Sequence, residues 1–348
     1  MEELQRRGHQ VQMRNPYTLR STHLSRRIDH TYIGLVQRAP WAFGLVYCIG
    51  NLYRRLPFRS PVYFANHAMG DTLAEYFAAH HVDLVIMPHL FPAEILTNMK
   101  AHGHAVPKMM FVATDYVCTP FTEETDCDAY VIPSAALACD FVRRGIPQDK
   151  LHPLGIPSKA QFHASLPRSD AKRQLGLDEK RKYILVIGGS MGAGSLVQIA
   201  RRLLSAPPEN AGIIVICGSN QKLYRRLQKK FGAQLILVQQ TDQMAAYMKA
   251  CDWVLSKPGG LSSTEAAVAQ TALLHITPIP GCETLNMRYF AENGLSIPIR
   301  HRRQLLPALQ ALSAPEAQTR MKQRQREVIN AHAAADICDL AEQMVQIK

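Results

Sequence analysis

None of the eight cysteines stands in a C-x-x-C pair or at metal-ligand spacing. That argues against a zinc module or a dithiol redox centre and fits a reducing cytoplasm. Aromatic residues are scarce, 7% of the chain, and no aromatic run is interleaved with basic residues. Single-stranded nucleic acid binds by base stacking, so no nucleic-acid partner is expected. The longest apolar run, residues 41–49, is far short of the ~20 residues of a spanning helix. Met1-Glu2-Glu3 is acidic and polar, unlike the opening of a signal peptide. Acidic residues are also in deficit, 28 Asp+Glu against 40 Lys+Arg, for a formal net charge of +12. Such an excess points to an anionic partner, either an acidic membrane surface or a phosphorylated substrate. What is present is 348 residues with 47% hydrophobic content, enough for two folded domains.

The informative stretch is residues 256–293. Trp253-Val254-Leu255 reads as a short buried parallel strand that breaks at Ser256-Lys257-Pro258-Gly259-Gly260. Ser262 and Ser263 are N-cap types, with Glu265 expected in the first helical turn. Leu273-Leu274-His275-Ile276 is the next strand, after which Pro278, Pro280 and Gly281 deliver Glu283 and Asn286 to another helix. Two consecutive strand ends therefore carry a Gly-rich turn, two carboxylates and a carboxamide. In an open α/β sheet this is where ligands bind, and Glu and Asn match the donors and acceptors of sugar or ribose hydroxyls. Helix capping is the alternative role for each carboxylate taken singly.

Gly259-Gly260, Thr264-Glu265-Ala266 and Pro280-Gly281-x-Glu283-x-x-Asn286 resemble the nucleotide-sugar signature of the monogalactosyldiacylglycerol synthases and processive diacylglycerol glucosyltransferases. These are relatives of the peptidoglycan-precursor N-acetylglucosaminyl transferase. The resemblance implies an α/β chain of two Rossmann-like domains facing a cleft, the GT-B fold. Residues 1–157 would be the acceptor and membrane-facing domain and 158–348 the nucleotide-sugar domain, with the last helix crossing back to the first. Glu265 would hold the ribose of UDP, and Glu283 and Asn286 the hydroxyls of the transferred sugar. Gly259, Gly260 and Thr264 belong to the same signature.

The second domain opens with residues 183–187 as a strand, followed by Gly188-Gly189-Ser190-Met191-Gly192 and a helix. Gly189, Ser190 and Gly192 let backbone N–H groups approach a diphosphate. The loop lacks the Lys of a P-loop, and its glycines are not spaced as in a dinucleotide fold. Residues 239–250, with Met244, resemble the entry that cups uracil. No carboxylate pair at D-x-D spacing lies near a strand end of this domain, so neither metal nor other cofactor is expected.

In the first half, residues 1–8 read as a helix end and 9–13 as a short strand. Between 14 and 61, Arg14, Arg20, Arg26, Arg27, Arg38, Arg54, Arg55 and Arg59 stand against Asp29 alone, interleaved with bulky apolar residues. The arginines are expected to face a bilayer interface and the apolar residues to pack on the sheet. His89 and Asp115 follow predicted strands and are the candidate bases, with His67 a weaker one. Within the family, the turn after the first strand carries Gly-Gly-x-Gly-His, whose His is the favoured base. Nothing before Gly8 corresponds to it, so the expectation is a first domain missing its first strand, through a misassigned start or a truncation. Residues 151–157 resemble the interdomain hinge, and 158–170 read as a linker.

The expected activity is inverting transfer of a hexose from a UDP-sugar to a membrane lipid such as diacylglycerol, on the inner face of the cell membrane. The alternatives are N-acetylglucosaminyl transfer to a polyprenyl-linked intermediate and an inactive UDP-sugar-binding relative.

Overall fold

A computed structural model of the chain describes residues 1–20, 40–54, 58–66, 69–189, 196–209 and 211–346. The backbone forms two compact units, residues 1–157 with 332–348, and residues 158–331.

The first unit is built on a parallel sheet with strands in sequential order: β1 (Leu84–Met87), β2 (Lys108–Val112), β3 (Ala129–Val131) and β4 (Leu151–His152). Lys108–Val112 is apolar beyond its first residue because both faces are covered, as parallel sheets require. One face packs under helices Gly70–Ala79 and Leu90–Ala101, around Met87, Ile95, Phe111 and Tyr130. The other face, Met110, Val112, Ala129 and Val131, is covered by Ile337 and Ala341 of helix Ala333–Gln346. That helix is also tied to the N-terminal segment: Arg7 reaches Asp339 at 2.5 Å and Glu342 at 3.0 Å, and the His9 ring meets Glu342 at 2.8 Å.

Residues 9–13 do not form the expected strand. Alternation alone cannot make a strand when no neighbour takes up its backbone groups. Side chains hold the segment instead, with Gln12 accepting from the Tyr76 hydroxyl at 3.1 Å.

The second unit holds a six-stranded parallel sheet of order β10-β9-β8-β5-β6-β7. Its strands are β5 (Lys182–Ile187), β6 (Ala211–Ile216), β7 (Ile236–Val238), β8 (Trp253–Ser256), β9 (Leu273–Ile276) and β10 (Ile297–Ile299). Sequence order reverses at β5, which pairs with β6 on one side and β8 on the other. Residues 158–170 are not a plain linker, since they contain helix Ala160–His163 and the start of Arg168–Gln174. Phe162, only 2% exposed, anchors the first of these, and Lys249 donates to the carbonyls of Gln161, at 3.2 Å, and Ala164. Among the described residues, no helix is long and apolar enough to cross a membrane.

Candidate functional site

At the reversal point the ends of β5 and β8 lie in register, Ile187 opposite Ser256, and Ser256 in turn lies opposite His275 of β9. Three turns therefore leave the sheet side by side: Gly188-Gly189 after β5, Lys257 to Gly260 after β8, and Thr277 to Gly281 after β9. Gly189 takes φ +72, a conformation open to glycine. Ser190 and Gly192 lie outside the described residues, as does His67 of the first unit.

The helix after β8 runs Gly260–Val268, with Gly259 as its N-cap. Ser262 and Ser263 are therefore inside the first turn rather than caps, and Glu265 lies in the second. The helix starts early because the Ser263 N–H already reaches the Gly259 carbonyl at 2.9 Å. Ser263 is used differently: its hydroxyl bonds one nitrogen of the fully buried His275 ring at 2.9 Å, and Ser296 bonds the other at 3.0 Å. Burial pushes the His275 pKa down to about 3, so a neutral ring fastens this helix to β9.

Gly259 has ordinary backbone angles, φ −69 and ψ 140, and a Cβ added there would meet no described atom within 4 Å. Neither the backbone nor the described packing requires glycine at this position, and no side chain of residue 259 shields the backbone N–H groups of the helix start. Gly260 and Thr264 are buried, and the Thr264 hydroxyl donates to the Gly260 carbonyl at 2.8 Å.

Glu265 is half-buried, and its carboxylate has no hydrogen-bond partner among the described residues. Burial raises its pKa to about 7, against a smaller opposing pull from Lys159. A carboxylate in this condition gains from any hydroxyl that reaches it.

Glu283 and Asn286 sit on helix Cys282–Glu292, entered through Gly281 at φ +116. Glu283 accepts from the Ile279 N–H at 2.6 Å and pairs with Lys257 at 3.0 Å, where the Lys257 side chain is 8% exposed and Glu283 19%. Asn286 is fully buried and donates to the Pro258 carbonyl at 3.0 Å. Both side chains thus clamp the turn after β9 to the turn after β8. Lys257, a buried cation at the centre of this clamp, was not singled out from sequence. Its signal is a charge directly after an apolar strand end. Met244, half-buried, opens helix Met244–Ala250.

In the first unit His89 and Asp115 follow the ends of β1 and β2, which pair through Met87 and Phe111. His89 is the N-cap of Leu90–Ala101, its ring accepting from the Phe91 N–H at 3.3 Å. His89 is exposed, yet desolvation by the surrounding protein holds its pKa below the ordinary value. Asp115 is half-buried.

The apolar and basic residues of 14–61 divide otherwise than expected. On helix Pro40–Tyr53, Leu45, Ile49 and Leu52 are 53%, 54% and 66% exposed, at spacings of four and three that place them on one face. Phe58 and Phe64 are exposed as well. Arg54, by contrast, is held by Glu123, with its Nε 2.6 Å from Oε1. Arg14 is exposed, and Arg59 is exposed and lies over the Tyr63 ring at 4.2 Å. Arg26, Arg27, Arg38 and Arg55 lie outside the described residues.

Residues 1–157 match the monogalactosyldiacylglycerol (MGDG) synthase family, and residues 183–341 the glycosyltransferase family 28 C-terminal domain. A processive diacylglycerol beta-glucosyltransferase of Bacillus pumilus is 25% identical over 307 residues, which are 85% of this chain and 77% of that protein. Among solved structures, Acinetobacter baumannii MurG superposes with a TM-score of 0.57 at 18% identity, covering 80% of this chain and 79% of that one. S. aureus MnaA with UDP gives 0.58 at 13% identity, with 84% of each chain covered. These two show the shared fold. Only 158–182 and 342–348 fall outside the matched segments: the chain joins a monogalactosyldiacylglycerol synthase domain to a glycosyltransferase family 28 C-terminal domain, has processive diacylglycerol glucosyltransferases among its relatives, and has the GT-B fold.

Proposed function

We propose that the chain is an inverting glycosyltransferase that moves a hexose from a UDP-sugar to the hydroxyl of a membrane lipid such as diacylglycerol. The observation that carries this reading is the pairing of Gly259 with Glu265. An unhindered backbone opens a nine-residue helix, and on the same helix stands a carboxylate that burial has brought to a pKa of about 7. The N-terminal N–H groups and the macrodipole suit the diphosphate, and Glu265 suits the ribose hydroxyls. Met244 lines the uracil end, with Gly189, Ser190 and Gly192 on the diphosphate. Glu283 and Asn286, with Gly260 and Thr264, shape the sugar end. In these roles Asn286 and Thr264 act chiefly by fixing the turn backbone.

The acceptor oxygen attacks the anomeric carbon as the bond from that carbon to the diphosphate oxygen breaks. UDP departs with the electron pair, and the acceptor proton passes to a base. His89, kept neutral near pH 7 by its lowered pKa, is the proposed base, with Asp115 the alternative. The face of Leu45, Ile49 and Leu52, together with the exposed Arg14 and Arg59, is proposed to rest in an anionic bilayer surface on the cytoplasmic side, where apolar contact and charge act together.

The test is transfer from radiolabelled UDP-glucose and UDP-galactose to diacylglycerol in mixed micelles, run with the parent and with Glu265→Ala. Labelled glycolipid is expected from the parent. The variant should bind UDP roughly ten- to a hundredfold more weakly, as the loss of a charge-assisted hydrogen bond of about 1.5–3 kcal/mol implies. Undiminished UDP affinity in a folded Glu265→Ala protein rejects the ribose assignment. Absence of any labelled lipid across UDP-sugars rejects the activity.

A further inference from the structure

β9 and β10 end in register, Ile276 opposite Ile299, so Thr277 and Arg300 leave the sheet side by side. They border a cavity of about 320 Å³ whose lining combines the apolar Ile276 and Ile299 with Thr277, Arg300, His301 and Arg302. The backbone that carries the cations is held in place. Gln304 Oε1 accepts from the N–H groups of Arg300 and His301, both at 2.9 Å, and the His301 ring accepts from the Gln304 N–H. Arg300 and Arg302 have no acidic partner among the described residues. The acid nearest along the chain from Thr277, Glu283, is already matched by Lys257 at 3.0 Å. Two arginines and several apolar side chains lining one cavity suit a ring-bearing ligand with an acid group. Arginine meets a carboxylate through two parallel hydrogen bonds, and the apolar lining accepts the less polar face of the ring.

We infer that this cavity is an acid-recognition subsite for the transferred sugar, and that the preferred donor is a UDP-hexuronate whose carboxylate is taken by Arg300 and Arg302. The inference rests on the UDP-sugar reading and narrows it. Thr277 lines the cavity and begins the turn that leads to Gly281 and Glu283, which ties the cavity through the chain to the proposed sugar end. Glucose and glucuronate differ only at C6, a hydroxymethyl group in one and a carboxylate in the other, which makes the pair a direct probe.

Calorimetry on the full chain would compare UDP, UDP-glucose and UDP-glucuronate, for the parent and for Arg300→Gln, Arg302→Gln and the double variant. Both arginines are exposed, so these substitutions leave the fold intact, and circular dichroism checks it. All four proteins should bind UDP equally. The parent should bind UDP-glucuronate roughly tenfold more tightly than UDP-glucose, about 1.4 kcal/mol, and the double variant should lose that preference. Equal affinity of the parent for the two sugar nucleotides, or a preference that survives in the double variant, overturns the acid subsite while leaving the UDP-sugar reading in place. A parent that fails to bind UDP overturns the underlying reading itself.

Discussion

At the scale of single residues, Gly259 and Glu265 separate what the fold needs from what a ligand needs. Gly259 has helix-entry angles that any residue adopts, and no described atom lies within 4 Å of where a Cβ would stand. Gly259→Ala is therefore expected to leave the melting temperature within about 2 °C of the parent, a change of less than about 0.5 kcal/mol. UDP affinity should fall at least roughly tenfold, because a methyl group would occupy the line of approach to the helix N–H groups. Calorimetry alongside thermal unfolding checks this, and unchanged UDP binding would remove the glycine from the site. Glu265 makes a pH prediction. Its folded pKa is raised from 4.5 to about 7 by burial, so the protonated carboxyl is the form the free fold prefers. The linked stability is fully present below about pH 4.5 and is lost as pH rises through about 7. A Glu265→Gln protein should match the parent at pH 5 and exceed it at pH 8 by about 1 kcal/mol, less than the full shift implies because the group is partly exposed. UDP affinity of the parent should move the opposite way, rising with pH through about 7 as the hydroxyl-accepting carboxylate forms. Denaturation and calorimetry at both pH values test the two directions. A flat profile in either measurement is inconsistent with Glu265 as the titrating ribose contact.

At the scale of elements, helix Pro40–Tyr53 shows why its packing cannot be read from composition. Gly44 and Gly50 lie on its buried side, where Gly50 faces Pro120 and Phe121 at 3.4–3.6 Å from an added Cβ. The larger Leu45, Ile49 and Leu52 are left outward. Arg54, just past the end of this helix, is held by Glu123, and the segment entering the next helix, Pro61–Asn66, is held by Glu124 accepting from the Ser60 N–H and hydroxyl, both at 2.7 Å. Replacing Leu45, Ile49 and Leu52 together with Ser should cost little stability, since the side chains are already in water, but should weaken vesicle binding at least roughly tenfold. Burial of each in an apolar phase is worth up to about 1.5–3 kcal/mol. Co-sedimentation with phosphatidylglycerol and phosphatidylcholine vesicles measures this. Equal pelleting of parent and triple variant would show that the stripe is not the docking face.

At the scale of the whole chain, the C-terminal helix belongs to the first unit although it follows the second in sequence. Ile337 and Ala341 are 5% and 3% exposed against that unit's sheet, and Asp339 and Glu342 take Arg7 and His9. Deleting residues 333–348 would uncover Met110, Val112, Ala129 and Val131 and should lower stability by several kcal/mol. Hydrogen exchange should show the loss in β2 and β3, with β5, β6 and β8 unaffected. Uniform protection in both units after the deletion would contradict this division.

The apolar runs, the Gly-rich breaks and the order of strands and helices were legible from sequence because each is a local property. Strand periodicity, turn residues and the ordered set Gly259, Gly260, Glu265, Glu283 and Asn286 all lie along the chain. So were the helix ends at Gly8 and Gly145, where positive φ removes every other choice but glycine at low cost. Partnership was not legible. Whether residues 9–13 form a strand depends on a neighbour, and whether Arg54 faces a membrane depends on Glu123, sixty-nine residues away. The same holds for Lys257 and Glu283, His275 between Ser263 and Ser296, and the cations around the β9 and β10 ends. Amino-acid order determines which groups each element offers. Only the tertiary structure decides which of those groups are matched inside the protein and which, like Glu265, Arg300 and Arg302, have no hydrogen-bonded or acidic partner among the described residues, because burial and pairing are properties of neighbours in space.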